Sequence, residues 1–404
     1  MANNNKHTGP NVPALRFPEF SGEWESRTIG DDCKILMCKR IFANQTTSEG
    51  EVPFYKIGTI GDKADAYISK KLFEEYKQRY NYPKCGEVMI TCAGTVGKTI
   101  LYNGQDAYYQ DSNIVWISNP RKIYSNEFLN YLLNRVDWSK LNSTTITRIY
   151  NDNLRELHIT FPSREEQDKI VSLLTRIDDR IDTQSKIIEE LKTLRGALVD
   201  TYINDGNNNN ENQTIMSLGA YGCFVRGLTY SSVDVTDNTA TTGVVRSNNL
   251  EYGSPVDIKA DLVYVTKKPS PEQMLVNGDI VICMANGSSS LVGKASNYQE
   301  LCRNMTVGAF CGIYRGTHPL TKWIFMSSAY CKALANAIQG GNGAIANLHA
   351  EDILSMCFAV PSDYKTITEL GKLLSLFDEK LHAAEEQLAR FIEQKKYFLF
   401  KMFI

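Results

Sequence analysis

Apolar residues at Leu174, Ile177, Ile181, Ile188, Leu191 and Leu198 recur at intervals of three, four and their sum, seven. This is the seam of a helix built to lie along another helix. It predicts one continuous helix from about Glu165 to Ile203, roughly 58 Å long at 1.5 Å per residue. Two hundred residues further on, the same slots hold Leu374, Phe377, Leu381, Leu388, Phe391 and Phe398. Polar slots follow suit: Asp178 becomes Asp378 and Arg195 becomes Lys395, while Gln184 becomes Ala384. Each segment follows a strand-like run ending in proline, LHITFP and CFAVP. Ser163 with Glu166 predicts a capping box at the first helix, and Ser362 with Lys365 predicts a cap alone at the second. Neither helix can bury its stripe by itself, so each is expected to lie antiparallel against its copy.

Elsewhere the period shifts towards two. Val52 to Ile57, Glu87 to Cys92, Thr99 to Tyr102 and Ser112 to Ser118 read as strands, with turns at Gly58, Gly61 and Asn103-Gly104. Ser125 to Leu141 reads as a shorter helix, with Phe128, Leu129, Leu132, Leu133 and Val136 on one face. The second half replays this order with drift. VVRSNNL answers FYKIGTI, pairing Arg246 with Lys56, and GDIVICMANGSSSLVGK answers GEVMITCAGTVGK with four extra loop residues. AIANLHAEDIL answers TITRIYNDNL, pairing Asn347 with Arg148 and Ile353 with Leu154. The expected organisation is a disordered tail (1–14), a globule (15–162), a long helix (163–204), an Asn-rich linker (205–213), a second globule (214–361) and a second long helix (362–404). The fold class is α+β: two α/β globules joined by two long antiparallel coiled-coil helices, as a pseudo-twofold internal repeat. Helices that stay alike beside globules that diverge suggest one shared job and two different recognition tasks.

Composition narrows the chemistry by exclusion. Of 404 residues, 43% are hydrophobic and 22% charged, the usage of an ordinary globular chain, and the net charge of -2 carries no nucleic-acid signature. Ten cysteines without a C-x-x-C pair read as reduced thiols with no structural zinc. Without a charged, apolar leader or a run of eighteen apolar residues, a cytoplasmic chain with no membrane span is expected. GTVGKT invites a phosphate-loop reading, but Cys92 stands where a Walker loop needs glycine, and Ser288 does so in the repeat. No cofactor fingerprint, adenine-methylating motif, metal-ligand pattern or nucleophile elbow is found. The glycine loops instead suit close approach to another backbone, such as DNA phosphate with Lys98 and Lys294 as counter-charges, or simply a tight hairpin. Arg121, Lys122, Arg135, Lys140 and Arg148 form a basic set suited to phosphate.

Polar loops of both globules carry Arg, Asn and Gln, whose paired donors and acceptors match guanine and adenine edges. The candidates for DNA contact are Lys56, Thr91, Gly94, Lys98, Gln110, Asn113 and Arg148 in the first globule. In the second they are Arg246, Asn248, Asn286, Lys294, Arg303, Asn304, Asn342 and Asn347.

The opening PALRFPEFSGEWESRTIGD, the strand and glycine loop in both halves, the FPSREEQDKI lead-in to the first long helix and the repeat itself resemble specificity subunits of type I restriction-modification systems. The second long helix departs from the family's Glu-Gln lead-in, with Lys365-Thr366 there. The resemblance implies that each globule is a target recognition domain reading half of a split, asymmetric site in double-stranded DNA. It further implies that the helices fix the spacing and dock two methyltransferase subunits, joined by restriction (motor-nuclease) subunits. The chain itself would be non-catalytic and hold no cofactor, with S-adenosylmethionine, ATP and Mg belonging to the partner subunits. Two other readings stay open: a coiled-coil scaffold without a DNA role, and a stand-alone DNA methyltransferase, against which the missing cofactor loop speaks.

Overall fold

The computed structural model describes residues 11–141, 148–206, 212–259, 261–299, 304–338 and 346–404. The chain divides into two compact units, Met1–Gln184 with Gln387–Ile404 (unit 1) and Ser185–Glu386 (unit 2).

Unit 1 runs β1 (Glu25–Thr28), α1 (Ile29–Asp32), β2 (Lys34–Leu36), β3 (Val52–Tyr55), β4 (Tyr67–Ile68), α2 (Lys70–Arg79), β5 (Val88–Thr91), β6 (Thr99–Leu101), β7 (Tyr108–Tyr109), β8 (Ile114–Ser118), α3 (Asn126–Leu133), α4 (Asn151–Arg155) and β9 (His158–Phe161). Its main sheet has the order β2-β8-β5-β6, a second has β4-β3-β7, and β1 pairs with β9. The runs in β5 and β8 are buried on both faces, which is why they read as continuous apolar stretches rather than alternating ones. Val88, Ile90, Val115 and Ile117 join a core with α3, while Met89, Ile114 and Trp116 join Phe54, Tyr108 and Tyr109 in another.

The helix α5 (Arg164–Tyr202) begins in unit 1 and ends in unit 2. Unit 2 continues with β10 (Gln213–Ser217), β11 (Gly222–Arg226), β12 (Val235–Thr236), β13 (Thr242–Val245), β14 (Val263–Val265), β15 (Ile280–Cys283), β16 (Ala285–Asn286), β17 (Ala295–Asn297), β18 (Met305–Val307), β19 (Cys311–Gly316), α6 (Thr321–Ile324), α7 (Ser328–Ile338), β20 (Ala346–Asn347), α8 (Ala350–Ser355) and β21 (Cys357–Pro361). The helix α9 (Tyr364–Lys401) closes the chain. The sheets repeat those of unit 1: β11-β19-β15-β17 for the main one, β10 with β21, and β12-β14-β13-β18 with one added edge strand.

Each unit contains an antiparallel pair of long-helix segments. In unit 1, Lys395 bridges Asp178 at 2.6 Å and the Arg180 guanidinium lies over the Phe391 ring at 5.9 Å. In unit 2, Arg195 bridges Asp378 at 2.6 Å. The same pair of slots is thus bridged twice, because Asp178 and Arg195 recur as Asp378 and Lys395. The apolar slots repeat as closely. Ile170, Leu174, Phe398, Leu399, Met402 and Phe403 pack into the unit 1 core, and their counterparts Leu370, Leu374, Leu198, Val199, Tyr202 and Ile203 pack into that of unit 2. Seam residues Leu174, Ile177, Ile188, Leu374 and Leu381 are buried, and Ile181, Leu191, Leu198, Phe377, Leu388, Phe391 and Phe398 are half-buried.

Several local expectations are corrected. The helix expected over Ser125 to Leu141 is α3 followed by a separate tight turn at Trp138–Leu141, with Ser125 Oγ capping by accepting from the Phe128 amide at 2.9 Å. The first capping box is half-made. Ser163 Oγ accepts from the Glu166 amide at 3.4 Å, but the Glu166 carboxylate turns away to a two-pronged pair with Arg16 at 2.7 and 2.8 Å. At the second long helix the cap is Asp363, which accepts from the Thr366 amide at 2.8 Å, while Ser362 donates to the Asn212 carbonyl. The pattern gave no sign of α2, capped by Ser69.

Candidate nucleic-acid interface

The two small sheets place one basic residue at equivalent points. β3 pairs in parallel with β7, and β13 with β18. Lys56 follows β3 and Arg246 follows β13, so the chain brings each to the same end of its unit.

In unit 1 four other segments converge on that end. Gln110 donates its amide to the Tyr55 carbonyl at 2.9 Å and accepts from the Ile57 amide at 3.4 Å. The Asn113 carbonyl accepts from the Cys92 amide at 2.7 Å, and the Cys92 carbonyl accepts from the Ile149 amide at 2.9 Å. Arg148 donates to the Ser112 carbonyl at 3.3 Å and lies over the Tyr150 ring at 5.8 Å. Gly94 stands against Ile57. Lys56, Gly94, Gln110, Asn113 and Arg148 therefore share one tip, and exposed Lys98 lies nearby, its Nζ donating to the Ile60 carbonyl at 2.6 Å. Lys56 pairs with exposed Asp65 at 3.1 Å, a water-facing contact of small energy.

Thr91 is a correction. It is fully buried, and its hydroxyl ties the glycine loop together by meeting the Thr95 carbonyl and accepting from the Lys98 amide at 3.1 Å. The glycine ending that loop serves packing as well. Gly97, at φ +85°, lies under Trp138, where an added Cβ would sit 2.1 Å from the ring; Gly293, at φ +81°, lies as close to Leu334. The basic set expected around Arg148 is also not one patch. Arg121 pairs with buried Asp32 at 3.0 Å, Arg135 donates to the Ile404 carbonyl, and Lys140 pairs with Asp137 at 2.9 Å. Arg121 and Lys122 lie beyond the far end of β8 from Arg148, a strand length away. Burial lowers the Arg135 pKa and lifts the Cys92 thiol to about 11, leaving the latter uncharged at neutral pH.

Unit 2 builds its tip from the same positions. Arg246 donates to the Asp261 carboxylate at 3.1 Å and carbonyl at 3.0 Å, and Asn248 donates to the same carboxylate at 3.0 Å. Asn286 donates to Ser247 Oγ at 3.2 Å. β16 pairs with β20, setting Ala285 opposite exposed Asn347, and the Leu348 amide donates to the Met284 carbonyl as Ile149 does to Cys92. Half-buried Lys294 follows the glycine loop. Asn304 is a correction. It precedes β18, whereas Arg246 and Gly308 follow the paired ends of β13 and β18, so it sits at the opposite end of those strands. Arg303 and Asn342 lie outside the described residues. Phe310, 71% exposed, shares the tip and was not foreseen; aligning GAFCGIY with DSNIVWI would have placed it opposite Asn113.

Among the described residues no cluster of His, Cys, Asp or Glu is arranged to hold a metal, and no helix is long and apolar enough to cross a membrane.

Residues 21–193 match the family model described as type I restriction modification DNA specificity domain. Over that stretch the chain is similar to the DNA specificity domains of type I specificity subunits. Over 162 residues it is 47% identical to a Haemophilus influenzae chain named for a type I restriction enzyme specificity subunit, covering 40% of this chain and 41% of that one. It is 27% identical over 192 residues to the EcoKI specificity subunit of Escherichia coli, covering 46% and 40% respectively. The matches span about two fifths of those relatives' length. In fold, the S subunit of a type-I restriction-modification system from M. genitalium superposes with a TM-score of 0.59 at 16% identity, covering 97% of this chain and 99% of that one. A chain from a structure of type I restriction-modification complex assembly gives 0.52 at 13% identity, covering 93% and 96%.

Proposed function

We propose that this chain is the non-catalytic DNA specificity subunit of a type I restriction-modification complex in the cytoplasm. Each unit reads one half of a bipartite, asymmetric site, and the long helices fix the spacing between the halves and dock two methyltransferase subunits and the restriction subunits. S-adenosylmethionine, ATP and Mg act in those partners. The domain limits follow the repeat: target recognition domains at 15–162 and 214–361, long-helix regions at 163–204 and 362–404.

The observation that carries this reading is the pair of equivalent tips with unlike side chains. The same strand ends present Lys56, Gln110, Asn113 and Arg148 in unit 1 and Arg246, Gly308, Phe310 and Asn347 in unit 2. A scaffold has no need to keep the frame and vary the side chains at its tip, whereas two readers of different half-sites do. Cationic and amide donors on a rigid frame suit base edges, with neighbouring lysines on phosphate.

The test is to purify the chain with its methyltransferase partner and compare duplexes carrying the mapped site with scrambled ones. A preference of about a thousandfold or more is expected at physiological salt. Equal binding of both supports a scaffold instead, and methyl transfer by the isolated chain would make it an enzyme.

A further inference from the structure

Phe310 occupies in unit 2 the place of Asn113 in unit 1. Each immediately precedes the central strand of its main sheet, and each carbonyl accepts from the residue after the neighbouring strand. The Cys92 amide reaches Asn113 at 2.7 Å, and the Met284 amide reaches Phe310 at 2.8 Å. An amide has been exchanged for a large ring that is 71% exposed. A single exposed ring is ordinary on a protein surface, so what this one borders decides its significance.

The ring borders a cavity of about 510 Å³ that Tyr230, Arg246, Asn248, Gly308 and Ala309 also line. One side of its chemistry is apolar, two rings and a methyl group; the other is a guanidinium and a carboxamide. The polar side is lightly held. Arg246 and Asn248 share one carboxylate, that of Asp261, whose side chain is 78% exposed, and Arg246 also donates to the Asp261 carbonyl at 3.0 Å. A water-facing pair of that sort is worth little and exchanges easily. The Arg246 Nε is buried without an acceptor, a cost that a ligand acceptor removes once the side chain turns towards it.

We infer that this cavity reads a thymine, with Phe310 and Ala309 against its C5-methyl group and Arg246 on the acceptors of a neighbouring purine. This rests on the DNA-reading role proposed above. Among the major-groove edges thymine alone carries a methyl group, and phenylalanine and alanine are apolar partners for it, while arginine suits the N7 and O6 of guanine. Unit 1, with Asn113 at the equivalent point, makes a polar contact there instead.

The experiment uses the complex of this chain with its methyltransferase and duplexes carrying the mapped site. Each thymine of the unit 2 half-site is replaced in turn by deoxyuridine, which removes the methyl group alone. One replacement should weaken binding about fourfold, the equilibrium equivalent of burying one methyl-sized group. Phe310→Ala should bind the thymine and deoxyuridine duplexes alike, keep its response to changes in the other half-site, and still assemble with the methyltransferase. If no replacement in that half-site matters, or if Phe310→Ala keeps the sensitivity, the inference is overturned. It is likewise overturned if Phe310→Ala weakens binding while every deoxyuridine duplex binds as the thymine one does, since the ring then stacks on a base without reading its methyl. A complex with no sequence preference at all would instead sink the specificity-subunit reading on which the inference rests.

Discussion

Unit 1 and unit 2 share a frame and differ where the frame ends. The strand order of the main sheet, the parallel pair that carries Lys56 or Arg246, and the Asp-to-cation bridge between the long helices are the same in both. The root of the long helix is not. In unit 1, Gln167 is buried and makes three hydrogen bonds: it accepts from the Ser125 amide at 2.8 Å and donates to the Ile123 and Pro162 carbonyls at 3.1 and 2.9 Å. Arg16 reaches the neighbouring Glu166 across the chain. In unit 2 the equivalent of Gln167 is Ile367, which packs into the core. One helix is rooted by a polar network and the other by apolar contact. The position of the root is preserved while its chemistry differs. The tips likewise keep their positions and differ in their side chains.

This comparison can be broken most readily in the seam. Leu174 and Leu374 are both fully buried at the same slot, so Leu174→Ala and Leu374→Ala should each cost about 3 to 5 kcal/mol, by equal amounts within error. Denaturant unfolding of the complex measures both, and a large loss in one with none in the other would end the equivalence of the units. The roots should respond unequally. Gln167→Ala leaves the buried Ser125 amide without an acceptor and should cost roughly 1 to 3 kcal/mol, against about 1 kcal/mol for Ile367→Val. The bridges come next. Asp378 receives Arg195 and Lys322, whereas Asp178 receives Lys395 and the Tyr131 hydroxyl. Double-mutant cycles should give coupling near 1 kcal/mol for each aspartate with its long-helix cation, and Asp378→Asn should cost more than Asp178→Asn because it strands two cations.

The smallest effect separates the helix caps by pH. The Asp363 carboxyl titrates below its ordinary value because it accepts from the Thr366 amide and hydroxyl. Its stabilisation is whole above the ordinary carboxylate pKa of about 3.9 and is lost as the pH falls below that, through the depressed folded value. Ser163, the cap of α5, does not titrate in that range. Protection of the Thr366 amide against exchange, corrected for intrinsic rate, should therefore fall on acidification while that of the Glu166 amide holds; equal behaviour would show that the caps do not differ in this way.

Periodicity made the seam and the central strands legible, since burial of β5 and β8 on both faces leaves a run that local pattern can read. The repeat itself carried the deeper information. Pairing Lys56 with Arg246 and Arg148 with Asn347 holds at the level of strand ends and amide contacts. What was not legible depends on partners far along the chain. Glu166 looked like half of a capping box because its real partner, Arg16, lies 150 residues away. Asn304 looked like a loop residue of the tip, but nothing local says which end of a parallel strand pair faces outward. Thr91 carries a polar group that could meet DNA, yet the loop it closes uses its hydroxyl. Phe310 carries no polar group, so its residue type alone does not mark it for the tip.

The central claim is that two tips read two halves independently, and a methylation map of host DNA tests it most directly. The chain would be expressed with its methyltransferase as wild type, as Arg148→Ala and as Arg246→Ala. Each variant should relax or lose preference in one half only, a different half for each, at about 1 to 3 kcal/mol for a lost base contact. If either variant degraded both halves equally, the two units would not be separate readers.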